Sequence, residues 1–295
     1  MEHRHAYLII AHNELGLLQK LVTALDITQN DIYIHFDKSK YTQEVRSITA
    51  RNARLTIISE VAVRWGSYSM VRCEFALLKL ALQTPHMYYH LLSGVDLPLK
   101  PAEEINAFFE ASGKQFVQFT KAEFPRHCLN WVLYKHISSE KFRTGKTKLE
   151  NYLYDKIDRI GVKVQEFLGR KKELHFSTLQ KGCQWFSITE PFAKYLIEME
   201  NIIEEDFADA YIPDEIVVPT VFVNSPWLKD QAAPELFNDS RQSMRYIDWE
   251  RGEPYIFRIG DFEELIGSGC MFARKFSHSV DGEIIDALFR HCTKI

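Results

Sequence analysis

The 295-residue sequence has no C-x-x-C pair. Its five cysteines, Cys73, Cys128, Cys183, Cys270 and Cys292, are scattered, which points to neither a zinc knuckle nor a disulfide framework and makes a reducing, cytoplasmic compartment the simpler expectation. No G-x-G-x-x-G or G-x-x-x-x-G-K-[ST] follows an apolar run, so a dinucleotide-binding or P-loop fold has no motif support. Eleven histidines include no H-E-x-x-H or comparable ligand spacing, which argues against a metal site built on histidine. There is no G-x-S-x-G, and Ser93 has no triad partner evident in sequence, which disfavours serine-hydrolase chemistry. The formal charge of −4 gives no electrostatic reason to expect nucleic acid, although Arg170-Lys171-Lys172 and Arg274-Lys275 are candidate anion sites. The longest early apolar run, Ala6 to Ala11, is far too short for a signal core or a membrane span; attachment at a membrane surface through a basic or apolar face stays open. No internal repeat or low-complexity tract is present.

What is there is a core. At 46% hydrophobic and 13% aromatic, the chain can bury a large interior, and it reads as one unit over 1–295. "AYLII" reads as a buried strand, followed by a helix with Leu17, Leu18, Leu21, Val22 and Leu25 on one side. "DIYIHFD", "RLTIIS" and "YYHLLSG" are further strands, and "SYSMVRCEFALLKLAL" is a helix whose Val71, Phe75, Leu78 and Leu82 share a stripe. Strands alternating with helices predict an open, mainly parallel α/β sheet with ligands beyond the carboxyl ends of the strands. Three polar clusters fall there: His12-Asn13-Glu14, Asp37-Lys38-Ser39 and Ser93 to Asp96. His12 and His35 read as structural or ligand-shaping. From about 121 to 180 the pattern turns polar, aromatic and basic, as suits an elaboration on the core.

"YIPDEIVVPTVFVNSP" sets Asp214 and Glu215 after Pro213 and before an apolar run. Proline followed by acids suits the start of a helix; a general base on a rigid helix end is the sharper reading, which needs support from elsewhere in the chain. No Asp-x-Asp stands at a strand end, "DWE" (Asp248 to Glu250) being the nearest imitation. A diphosphate leaving without metal would need cations, and Arg251, Arg258, Arg274 and Lys275 all fall in the last fifty residues.

Eight stretches, in order, carry a resemblance: "YLIIAHNE", "IYIHFDKS", "RWGSYSMVRCEFALLKLAL", "YYHLLSGVDLPLKPAEEI", "GCQWFSIT", "YIPDEIVVPTVFVNSP", "RYIDW" and "CMFARKFS". Together they resemble the core-2/I-branching β-1,6-N-acetylglucosaminyltransferase family, which includes the peptide O-xylosyltransferases. The resemblance implies a GT-A-like fold and metal-independent, inverting transfer from a UDP-sugar. It implies Glu215 as general base, with Asp214 capping the helix and orienting it. Lys275, Arg274 and the upstream Arg251 would hold the diphosphate. His12, Asp37 and the loop of Arg64, Trp65, Ser67 and Tyr68 would lie near the uridine. Asp96 and Glu104 would face the donor or acceptor sugar, and Trp185 would line the cleft. No cofactor or divalent metal is expected.

No stretch resembles the animal enzymes' anchor, stem or disulfide pattern, so the expectation is a bacterial catalytic domain working on surface-polysaccharide precursors, with a saccharide or glycolipid-linked acceptor. The rivals are a metal-dependent transferase of related fold, tested by EDTA, and a catalytically silent saccharide-binding subunit, tested by replacing Glu215.

Overall fold

The computed structural model of the chain describes residues 4–121, 123–136 and 147–293. The strands are β1 (His5–Ala11), β2 (Asn30–Phe36), β3 (Arg54–Ile58), β4 (Tyr88–Ser93), β5 (Leu97–Pro98), β6 (Phe116–Val117), β7 (Phe186–Thr189), β8 (Arg245–Ile247) and β9 (Phe272–Arg274). The helices are α1 (Leu15–Ala24), α2 (Ser69–Ala81), α3 (Ala102–Ser112), α4 (Leu129–Leu133), α5 (Lys148–Phe167), α6 (Glu190–Glu198), α7 (Glu200–Phe207), α8 (Val217–Val223), α9 (Phe262–Gly267) and α10 (Gly282–Thr293). Of the 121–180 segment, 122 and 137–146 lie outside the described residues.

The central sheet has the order β3-β2-β1-β4-β7-β6. Strands β1 to β4 are mutually parallel, as the alternation with helices predicts, and β7 runs antiparallel to both β4 and β6. Every residue of β1 and β2 is buried, which explains why they read as continuous apolar runs rather than alternating ones. The period of two reappears in the packing: Ala6, Leu8 and Ile10 join α2, α6 and α8 on one face, while Tyr7, Ile9 and Ala11 join α1, α3 and α10 on the other. Helix α10, for which the sequence reading had no assignment, buries Ile284, Ile285, Leu288 and Cys292 against that second face.

A smaller sheet, β5-β9-β8, is tied to the first by Arg245. This side chain of "RYIDW" is fully buried and donates to Leu91 O at 3.0 Å, Phe186 O at 2.6 Å and Ser187 Oγ at 2.8 Å, and to Ser243 O. Burial lowers its pKa to about 10, nearby acids and thiols opposing. Its guanidinium fork is suited to this use, because several carbonyls can be satisfied at once. The result is that β8 and β9 sit beside the ends of β4 and β7.

Two close approaches fix the carboxyl edge. A Cβ at Gly94 would lie 2.8 Å from the Cβ of Ala11, so only glycine lets the ends of β1 and β4 converge. A Cβ at Gly182 would lie 1.8 Å from Gln118 O, so "KGCQWF" presses directly on the chain leaving β6.

Candidate active site

The structure distinguishes the two readings of Pro213-Asp214-Glu215. These residues form a 3-10 turn preceded by Ile212 in the left-handed region (φ 49), and α8 begins only at Val217. Asp214, expected to cap a helix, makes no cap bond. It is 5% exposed and its Oδ1 has no hydrogen-bond partner; burial, reinforced by Glu215, raises its pKa to about 7. Behind it lies Glu74 of α2, fully buried, whose Oε1 accepts from Gln184 Nε2 at 2.7 Å. Burial, with Asp214 adding to it, pushes the Glu74 carboxyl well above the usual carboxylate range.

Glu215 is turned the other way. Its half-buried carboxylate accepts from Lys181 Nζ at 2.5 Å, and its carbonyl accepts from Gly182 N at 2.9 Å. Lys181 was missed in the sequence although it directly precedes the quoted "GCQWF"; the signal was there as the one charge opening an otherwise uncharged strand entry. Glu215 and Lys181 open onto a cavity of about 930 Å³ that Asp239, Arg241, Asp248, Trp249, Glu250 and Arg251 also line. A charge-assisted bond holds the carboxylate in one orientation, leaving its second oxygen for a ligand proton.

The loop Arg64 to Ser69 lies beside this turn, since Ile212 N donates to Gly66 O at 2.9 Å. Asp37 shapes the approach to the loop: its Oδ1 accepts from Ser39 N at 2.9 Å and Val63 N at 3.1 Å. Arg64 and half-exposed Trp65 stand at the surface of this loop. Ser67 and Tyr68, expected near a uridine, are instead buried. The Ser67 hydroxyl is spent on Arg64 O and Ser69 Oγ, and Tyr68 packs in the core, so both hold the loop in shape. His12 follows β1 with its ring open to solvent; desolvation of its inner side lowers its pKa and Asp37 opposes this.

A second group forms a stack next to the cavity. Trp185, four residues beyond Lys181, lies under the Arg274 guanidinium at 4.2 Å, and Arg274 Nε is 3.7 Å from Asp96 Oδ1. Asp96 is fully buried, its Oδ2 accepting from Ser93 N at 2.9 Å; burial raises its pKa, with Arg274 opposing. Neither Asp96 Oδ1 nor Arg274 Nε has a hydrogen-bond partner, an unusual state for buried polar atoms outside a ligand site. Lys275 follows, half-buried and without an ion pair among the described residues. Its neighbours are pinned to the carboxyl edge: Phe276 N donates to Val95 O at 3.0 Å, and Ser277 Oγ donates to Glu14 Oε1 at 2.6 Å.

Two expected residues are placed differently. Arg251 reaches the cavity but is engaged by Asp248, by Asp261 at 2.7 Å and by Glu264 at 3.3 Å, so its charge is already matched. Glu104, exposed at the start of α3, lines a separate cavity of about 680 Å³ with Gln19, Asp26, Arg51 and Cys292, at the amino edge of the parallel strands. "PAEEI" is there a helix start with its acids in the first turn. Among the described residues, no three His, Cys, Asp or Glu side chains gather into a metal-binding cluster.

A mostly parallel sheet between helical layers, with its polar residues collected at the carboxyl edge, defines the class: a GT-A-like α/β fold. The profile of the Core-2/I-Branching enzymes matches residues 5–264. The chain belongs to that family and is a glycosyltransferase. It is similar to the human β-1,3-galactosyl-O-glycosyl-glycoprotein β-1,6-N-acetylglucosaminyltransferase, at 22% identity over 97% of this chain and 69% of the relative. The Bos taurus protein of the same name is also 22% identical over the same shares, and the Danio rerio β-1,6-N-acetylglucosaminyltransferase 4 is 20% identical over 96% of this chain and 68% of its own length.

Proposed function

We propose that this chain moves N-acetylglucosamine from a UDP-sugar to a saccharide hydroxyl, with inversion and without a divalent metal. The sugar and a β-1,6 linkage are taken from the relatives' names; xylose is the alternative donor sugar. The observation that carries the reading is Glu215, held by Lys181 on the rim of a cavity, beside the unsatisfied Asp96 and Arg274 and Lys275, which has no ion pair among the described residues. In one displacement the acceptor oxygen bonds to the anomeric carbon as the bond to the diphosphate oxygen breaks. The hydroxyl proton passes to Glu215, and the charge left on UDP is stabilised by Lys275 and Arg274. Asp96 fits a sugar hydroxyl, and Trp185 supplies an apolar wall. Arg251, already matched by three carboxylates, supports the acceptor side of the cavity better than the diphosphate.

A cation placed among Arg274 and Lys275 would be repelled, so lysine and arginine take the part that manganese or magnesium plays elsewhere. The five free cysteines support a reducing compartment, in keeping with a cytoplasmic enzyme acting on surface-polysaccharide precursors. Transfer assays with UDP-N-acetylglucosamine and UDP-xylose, each with and without excess EDTA, test the reading. Turnover with the first donor that EDTA leaves unchanged is expected; turnover abolished by EDTA and restored by manganese would overturn the diphosphate site and redirect attention to Asp248 and Glu250.

A further inference from the structure

Helix α5 is out of keeping with the rest of the surface. Of its 20 residues only Val162 is buried, yet Leu149, Leu153, Ile157, Ile160, Val164 and Phe167 stand exposed, from 47% at Leu153 to 89% at Phe167. They recur every three or four residues and so form one stripe along a helix about 30 Å long. Scattered exposed apolar residues are ordinary; a continuous stripe is the mark of a docking surface.

The charges beside the stripe say what it docks to. Lys148, Lys156, Arg159 and Lys163 fall on the adjoining strip, all on one side of it, at 100° per residue. Arg170 and Lys171 follow, exposed, just past the helix. Between 148 and 172 there are seven basic side chains and four acidic ones, in a chain whose net charge is −4. Three of those acids are tied down within the protein: Glu150 closes a capping box with Thr147, Asp158 bonds His136 at 2.6 Å, and Glu166 accepts from Asn130 at 2.8 Å. The fourth, Asp155, pairs with Arg159 at 3.0 Å. An apolar stripe bordered by lysine and arginine matches the boundary between acyl chains and anionic headgroups. A second copy fits less well, because a two-fold antiparallel pairing of the stripes would set the basic border against itself.

We infer that α5 lies in the surface of an anionic lipid bilayer and holds the enzyme there, with its apolar stripe in the headgroup boundary and its basic border on lipid phosphates. The docking bears on the cleft. Lys135 N donates to Gln165 Oε1 of α5 at 3.0 Å, Trp131 O accepts from Tyr211 N at 2.9 Å, and Lys181 lies over the Trp131 ring at 5.9 Å. Among the described residues, α4 and its flanks link α5 to the turn of Glu215, so an acceptor carried on a lipid would be presented at the cavity. That consequence rests on the proposed transfer reaction; the lipid contact does not.

Flotation of the full chain with vesicles of equimolar phosphatidylglycerol and phosphatidylcholine tests it, against vesicles of phosphatidylcholine alone. The chain is expected to float with the anionic vesicles only. Ile157→Ser/Phe167→Ser and Lys156→Glu/Lys163→Glu should each weaken this by about tenfold or more, while melting temperature and transfer to a soluble saccharide stay as in wild type. Failure to bind anionic vesicles, or binding that neither double variant changes, would overturn the proposal. So would self-association in solution that Ile157→Ser/Phe167→Ser abolishes without any vesicle binding, which would assign the stripe to a second copy. A chain that binds vesicles yet transfers no sugar would leave the lipid contact standing and sink the transfer reading instead.

Discussion

Two cavities open at opposite edges of the same parallel strands, and each has carboxylates on its wall. At the amino edge, Asp26 accepts from the backbone N–H groups of Arg51, Asn52 and Ala53 at 2.7 to 2.8 Å, while Glu103 and Glu104 stand exposed at a helix start. These acids close a turn and complement a dipole. At the carboxyl edge, Glu215 is half-buried, oriented by a lysine, and backed by carboxyl groups that have been driven toward neutrality. A cavity and an acid are therefore not a site: both oxygens of Asp26 are spent on backbone N–H groups, whereas Glu215 is held through one oxygen by Lys181 and keeps the other for a ligand. Glu104 stands exposed at the start of α3, and this separates it from half-buried Glu215 although the two motifs look alike as text.

The comparison breaks most readily at Glu215. Glu215→Gln is expected to keep the fold and the affinity for UDP while lowering turnover by about two to four orders of magnitude; steady-state rates and a UDP titration on one preparation check it. Near wild-type turnover in a folded variant would return Pro213-Asp214-Glu215 to a simple turn.

The next effect is on stability. The folded pKa of Asp214 is raised to about 7, above its unfolded value, so the stabilisation it gives is complete below about pH 4. That contribution is lost as pH climbs to about 7, a swing of roughly 4 kcal/mol at most. Asp214→Asn should therefore flatten the stability profile across that window and melt higher than wild type at pH 8. Denaturant titrations at pH 5 and pH 8 measure this, and an unchanged slope would mean that Asp214 is ionised in the fold.

Lys275→Ala should weaken UDP binding by about tenfold or somewhat more, the worth of one charge-assisted contact, whereas Arg251→Ala should alter it less. Calorimetry on both variants decides, and a larger loss at Arg251 would reverse the assignment of the two cations. The smallest effect belongs to the amino edge: Glu104→Gln should change turnover by no more than about twofold, as exposed substitutions usually do. A large loss there would mean that the second cavity takes part.

Much of this was legible in the sequence. The continuous apolar runs of β1 and β2, the stripe of α2 and the polar clusters after β1, β2 and β4 follow from hydrophobic patterning and from strand-end logic, so the sheet and its working edge could be read directly. Glu215 and Lys275 stand out as an acid after Pro213 and as part of a late basic pair, and the resemblance supplies their particular roles. What was not legible needed three dimensions. Lys181 meets Glu215 only because Gly182 lets one loop press on another. Arg245 reads as a surface charge until the fold surrounds it with carbonyls. Ser67 and Tyr68 stand in a motif beside exposed residues, and only packing shows that they face inward. The stripe of α5 was legible as periodicity but not as exposure, since the same pattern describes a helix buried in a core.

The most direct test of the central claim, a single displacement driven by one carboxylate, is the anomeric configuration of the first product formed. With an α-linked UDP-sugar as donor, proton NMR of the product before any equilibration should show the β-linkage alone, and Glu215→Gln should form that same product slowly. An α-linked product would require two displacements and a covalent or ion-pair intermediate on a second group, and would contradict the account of Glu215 as the only base.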